Sequence, residues 1–226
     1  ITNNGTFTAG SGIHTFDTNP QALNGTSLSI PNVNVNSIAL TNNLVPFTVS
    51  NSLSGSGQLV QGASSSLSLG GGITIAALDA SAASNIVSYD GSGQSVFATP
   101  YQDLTINQSG GAASLNAATS VNGTLTLNSG NLNIGSNNLL LGANAVSVSS
   151  PSASKMIIAS GTGEVRRTFT AADSYTFPIG DNTGSLEYSP VTINYTSGSF
   201  SSAYVGVSVT DAKHPFNSST TNYLTR

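Results

Sequence analysis

The sequence predicts an all-β protein, a β-solenoid of the parallel β-helix kind followed by a smaller antiparallel β-sandwich-like domain. Three observations predict it. Only 6% of residues are charged, so the Glu, Lys and Arg that build amphipathic helices are scarce. Apolar residues recur in pairs of the form x-Φ-x-Φ, the period-2 signature of a half-buried strand. Gly and Asn fall between the pairs at short intervals and mark turns.

The clearest run is 122–149. Its pairs are Leu125/Leu127, Leu132/Ile134, Leu139/Leu141 and Val146/Val148, each starting seven residues after the one before. A coiled coil would place its apolar residues at the first and fourth positions of each heptad, not at i and i+2. Strands this short do not hold together as isolated hairpins. They suit a solenoid, in which each strand stacks on its equivalent one turn away. Leu104/Ile106 precedes Leu125/Leu127 by 21 residues, which is three such steps and suggests a three-sided turn. All eight apolar side chains of the run are expected to point inward.

The earlier chain follows the same grammar with looser spacing. Leu28/Ile30, Val33/Val35, Ile38/Leu40, Phe47/Val49, Leu67/Leu69 and Ile73/Ile75 are further pairs. Asn-Gly-Thr opens a strand after a tight turn at Asn4, Asn24 and Asn122. The Ala-rich 76–83 is the sole helical candidate, and Gly70-Gly71-Gly72 before it reads as a loop excursion.

Near Pro151 the character changes. Longer alternating runs (164–169, 174–177, 191–195, 204–209) come with more aromatic and charged residues. The expected division is a solenoid over 1–150 and a sandwich-like domain over 151–226. The strand-like ending Tyr223–Arg226 points to a segment of a longer chain.

Composition excludes several classes of function. Hydrophobic residues make up 38%, too many for a disordered Gly/Ser/Asn/Thr chain. Residues 1–154 hold no Lys or Arg, and their acids are Asp17, Asp79, Asp90 and Asp103. Such a surface cannot neutralise phosphates, which argues against nucleic acid and against anionic membranes as partners. Cysteine is absent, removing disulfides, thiolate metal sites and thiol nucleophiles. No apolar run approaches the roughly 18 residues of a membrane helix, so no membrane insertion is expected.

Chemistry-bearing constellations are sparse. His14 and His214 lie far apart and read as surface or turn residues. No Gly-x-Ser-x-Gly elbow is present, and four scattered acids without a cation do not make a polysaccharide lyase or glycosidase site. The stretches 90–93 and 181–185 each offer one carboxylate where calcium wants several, so Asp90 and Asp181 read as β-turn residues. The Asn-x-Ser/Thr matches at Asn4, Asn24, Asn107, Asn122, Asn194 and Asn217 follow from composition. Thr6/Thr8 and Thr124/Thr126 are T-x-T pairs, the unit of ice-binding faces. One heptad onward the outward pair is Asn131/Asn133 and then Asn138/Leu140, so the ladder is expected to break and Asn ladders to replace it. The sequence therefore points to no catalytic, cofactor-binding or metal residues. Tyr89, Tyr101 and Tyr204 are the candidates for stacking on a surface glycan.

Tyr101-Gln102-Asp103-Leu104-Thr105-Ile106, followed by 121–130 (VNGTLTLNSG) and 139–142, resembles the repeats of very large Bacteroidetes cell-surface proteins. The segments 161–169, 175–180 and 211–215 resemble the module that follows such repeats. The resemblance covers 95–226 and extends to the N-terminal part in style. It implies an extracellular or outer-surface location, type IX secretion, and a role in adhesion, gliding or matrix. The function expected is a non-catalytic stalk segment of a surface adhesin or matrix protein. A self-assembling extracellular fibre subunit, joined by strand addition between chains, is the rival, and a glycan-binding module is the third class. The partners would be adjoining repeats of the same chain or neighbouring copies, with surface glycans in the third case.

Overall fold

The computed structural model of the protein describes residues 1–145 and 148–212. Among these the chain is all β, wound into about nine stacked turns. Strands in successive turns pair in parallel and form three faces. With strands about 4.8 Å apart, the stack is roughly 40 Å long.

The first face is an unbroken six-strand ladder: Leu28–Ser29, Phe47–Val49, Ser66–Leu69, Ile86–Tyr89, Asp103–Asn107 and Leu125–Ser129. The second face begins with Ile13–Phe16 and Asn32–Val35, and a separate sheet on the same side runs from Ser95–Val96 to Ile179–Asp181. The third face includes Gln21–Gly25, Ala39–Asn42, Thr119–Val121 and Leu139–Leu141.

Register explains the core. On the first face Leu28, Phe47, Leu67, Val87, Leu104 and Leu125 stack in one inward column. Val49, Leu69, Tyr89, Ile106 and Leu127 stack in the next. Because each strand alternates, a slip of one residue would turn a whole column outward, so burial fixes the register. Leu125, Leu127, Leu132, Ile134, Leu139, Leu141 and Val148 are all buried, as their spacing predicts. Val146 lies outside the described residues. The 21-residue step from Leu104 to Leu125 is one full turn, and the heptads are its three sides.

The Ala-rich 76–83 holds no helix: its first half is strand, and only 82–83 enter a turn. Gly72–Asp79 is one strand that pairs with Ser52–Gln61, and both carry the chain around a corner from the second face to the third. Its stacking neighbour imposes the strand, which local propensity alone would not.

The expected change of architecture at 151 does not occur there. Parallel stacking continues, with Leu132 on Ile157, Ile157 on Ile179 and Leu139 on Val165. The chain then reverses after Asp181. Glu187–Tyr188 pairs antiparallel with Ile179–Asp181, and Val191–Val207 pairs antiparallel with Val165–Phe177. Val209 N–H then donates to Ala159 O at 2.9 Å. The antiparallel pattern read from the sequence is thus a last turn wound backwards on the stack. Among the described residues no second sheet packs on it to make a sandwich.

Within the stack, amides and phenols replace some aliphatics. Phe97 N–H donates to Tyr89 Oη (2.8 Å), and Tyr101 Oη donates to Phe97 O (2.7 Å). The two phenols bond each other at 2.7 Å, so Tyr89 donates and the circuit closes. Burial pushes the Tyr89 phenol up to about 12 although its hydrogen bonds pull it down. Tyr101 is raised well above 10, first by burial and then by Tyr89. Below about pH 10 these phenols are neutral whether the chain is folded or not. Above it the unfolded chain loses protons that the folded chain keeps, so stability falls as pH rises from 10 towards 12. Urea midpoints measured across that range should show the fall, and Tyr89→Phe should reduce it. At neutral pH the same variant orphans the Phe97 N–H and is expected to cost about 1–3 kcal/mol. A pH-independent midpoint up to pH 12 would contradict this arrangement.

Candidate functional site

The carboxylates of 1–154 are engaged locally. Thr18 Oγ1 donates to Asp17 (3.0 Å), and Ser81 donates to Asp79 through both N–H (3.1 Å) and Oγ (2.7 Å). Asp103 Oδ1 accepts the Thr124 N–H one turn on, at 2.5 Å. Asp90 is more than a turn residue. It gathers Ser88 Oγ (2.6 Å), Asn107 Nδ2 (3.0 Å) and Ser68 Oγ from three successive turns. Asp181 does accept the Thr183 N–H within its turn (3.1 Å), yet it is buried, and its Oδ2 has no partner among the described residues. No group of three or more His, Cys, Asp or Glu side chains suited to a metal occurs among the described residues.

His14 is not a turn residue. It sits half-buried in Ile13–Phe16, stacked in register on Val33, with Nδ1 3.2 Å from Gly12 O. His214, Lys213 and Tyr223–Arg226 lie outside the described residues.

The tyrosine candidates separate sharply. Tyr89 and Tyr101 are fully buried and cannot stack on a sugar. Tyr204 is 52% exposed. It lies in a shallow groove of about 350 Å³ on the third face, lined also by Thr119, Ser120, Asn138, Leu140 and Arg166. The Arg166 guanidinium sits 4.9 Å over the Tyr204 ring and bonds Glu164 at 2.9 Å. Both charged partners are partly exposed, so this pair adds little stability.

Arg167 was not singled out by sequence reasoning. It occupies the inward register position beneath Leu141. Its guanidinium lies 4.6 Å from the Phe169 ring centroid and 4.5 Å from that of Tyr175. It donates to Ala143 O at 2.9 Å and to Asp173 at 2.7 Å. That hydrogen bond holds the Asp173 carboxyl below its ordinary range. Alternation along Val165–Phe177 sets its inward direction, and the aromatic slot makes a buried cation tolerable.

In comparisons with known proteins, no family model, no curated protein and no solved structure matches the chain.

The hydroxyl ladder behaves differently from the sequence expectation. Thr126 does not stack on Asn131, which is buried and bonds Met156 N–H and Ala153 O. The heptad step leads to the next side of the same turn, and the next turn lies about twenty residues away. On the first face the outward position reads Ser29, Thr48, Ser68, Ser88, Thr105, Thr126, each paired with the next. The Asn ladders exist as well: Asn43 donates to Asn24 (2.9 Å), Asn51 to Asn32 (2.5 Å) and Asn128 to Asn107 (2.7 Å).

Proposed function

We propose that the chain is a non-catalytic structural segment, a rigid spacer or stalk within a large secreted bacterial surface adhesin or matrix protein. The observation that carries it is the continuous inward column of the first face, which runs through six turns without a gap. A stack of this kind transmits load along its axis, because each turn is held by backbone hydrogen bonds and side-chain packing from both neighbours. The occupation of each acid in 1–154 by hydroxyls or backbone supports a non-catalytic reading. The likeness of 95–226 to Bacteroidetes surface repeats supports the outer-surface location and type IX export. The reversed last turn then serves as a cap over one end of the stack.

Purified chain assayed on plant, algal and bacterial polysaccharides is expected to show neither hydrolase nor lyase turnover. Turnover abolished by changing one acid would overturn the reading. A fibre subunit is the second reading. It is favoured by Val191–Val207, a long strand without a charged residue that pairs on one side only among the described residues. Light scattering and electron microscopy distinguish the two: monomers at high concentration fit a stalk, regular filaments a subunit. Tyr204 and its groove would serve a glycan-binding module.

A further inference from the structure

The outward position of the first face carries a hydroxyl at all six turns from Ser29 to Thr126. Ser147 lies outside the described residues. The described ladder of this face ends at Leu125–Ser129, six turns with a hydroxyl at each. Composition does not account for this. On the third face the outward column reads Ala22, Thr41, Val60, Asp79, and further on Ser120, Leu140, Arg166. On the second face it passes through Asn34 and Asn133. Only the first face is unbroken.

Ser68 and Ser88 donate to Asp90. The hydroxyls of Ser29, Thr48, Thr105 and Thr126 face outward with no hydrogen-bond partner among the described residues. The six positions of the row repeat about every 4.8 Å, the strand spacing, with the free hydroxyls in two adjacent pairs on either side of Ser68 and Ser88. Threonine χ1 is stiff, and the flanking strands fix each Cβ, so little freedom remains to be lost on binding. The six strands of the face carry no Lys or Arg, Lys155 borders only its end beside Thr126, and Asp90 and Asp103 at its margins already hold hydrogen-bond donors. A partner must therefore be uncharged, periodic and able both to give and to accept hydrogen bonds. Among the described residues no aromatic side chain is exposed on this face to stack on a sugar ring.

We propose that the first face is an ice-binding surface, its hydroxyl row replacing water molecules along a lattice plane of ice. This goes beyond the spacer reading and does not depend on it.

The test is partition of the full chain into a slowly growing ice front, together with inhibition of ice recrystallisation. The unaltered chain is expected to enrich in the ice and to keep crystals small. Thr126→Lys and Thr48→Lys, which set a bulky cation on the row, should lose both effects. Thr74→Lys, exposed on the second face, should retain them. Thermal melting reports whether each variant is folded, and either folded row variant suffices. Exclusion of the unaltered chain from ice, equal enrichment of a row variant, or retention on crystalline cellulose in place of ice would overturn the proposal.

Discussion

Leu132→Asp is expected to destabilise the protein by more than about 4 kcal/mol, the range reserved for burying an unpaired charge. Leu132 is fully buried on the second face, with Ala113 in the turn before and Ile157 in the turn after. A carboxylate there meets aliphatic neighbours on both sides. A proton would have to be taken up, or the turn opened, for the chain to stay folded. The position also joins the two halves of the chain, since Ile157 belongs to the region expected from sequence to be a separate domain. A single cooperative transition shifted far downward, followed by circular dichroism in urea, is the predicted outcome. A shift no larger than that of an exposed Ser→Ala change would mean that the stacking described here is wrong.

Gly55→Ala is predicted to cost about 3–5 kcal/mol although it adds one methyl group, combining backbone strain with overpacking. Gly55 lies in the strand Ser52–Gln61 where it turns the corner between faces, and its φ is +116°. An L-residue adopts that conformation only with strain. The added Cβ would also collide with the Val35 carbonyl of the preceding turn, backbone that cannot rotate away. Gly72→Ala is the control, because a Cβ there meets nothing within 4 Å. Denaturant midpoints of the two variants should differ widely, and similar midpoints would refute the corner geometry.

The inward residues of 125–148 were legible because a strand's alternation depends on the strand alone. Leu125, Leu127, Leu132 and Ile134 needed no knowledge of their partners to be placed. Tyr89 and Tyr101 were misjudged for the converse reason. Tyrosine is apolar in body and polar at its tip, and whether it is buried depends on a partner for the hydroxyl. Each supplies the other's partner across one turn, which their separation in sequence does not show. Arg167 was missed in the same way: Phe169 and Tyr175 accept it only once the chain has rounded a corner.

The sequence by itself determined an all-β chain of short strands, three to a turn, with aliphatic pairs inside and hydroxyls and amides outside. These follow from period-2 alternation and turn chemistry, which act within a few residues. Tertiary structure alone decided where the stack ends, which way the last turn runs, and which outward residues stand above one another. Those depend on backbone hydrogen bonds between positions about twenty residues apart, and no local preference encodes them. Thr126 stands on Thr105 and not on Asn131 because the turn closes before the pattern repeats in space. That closure makes the hydroxyl row continuous.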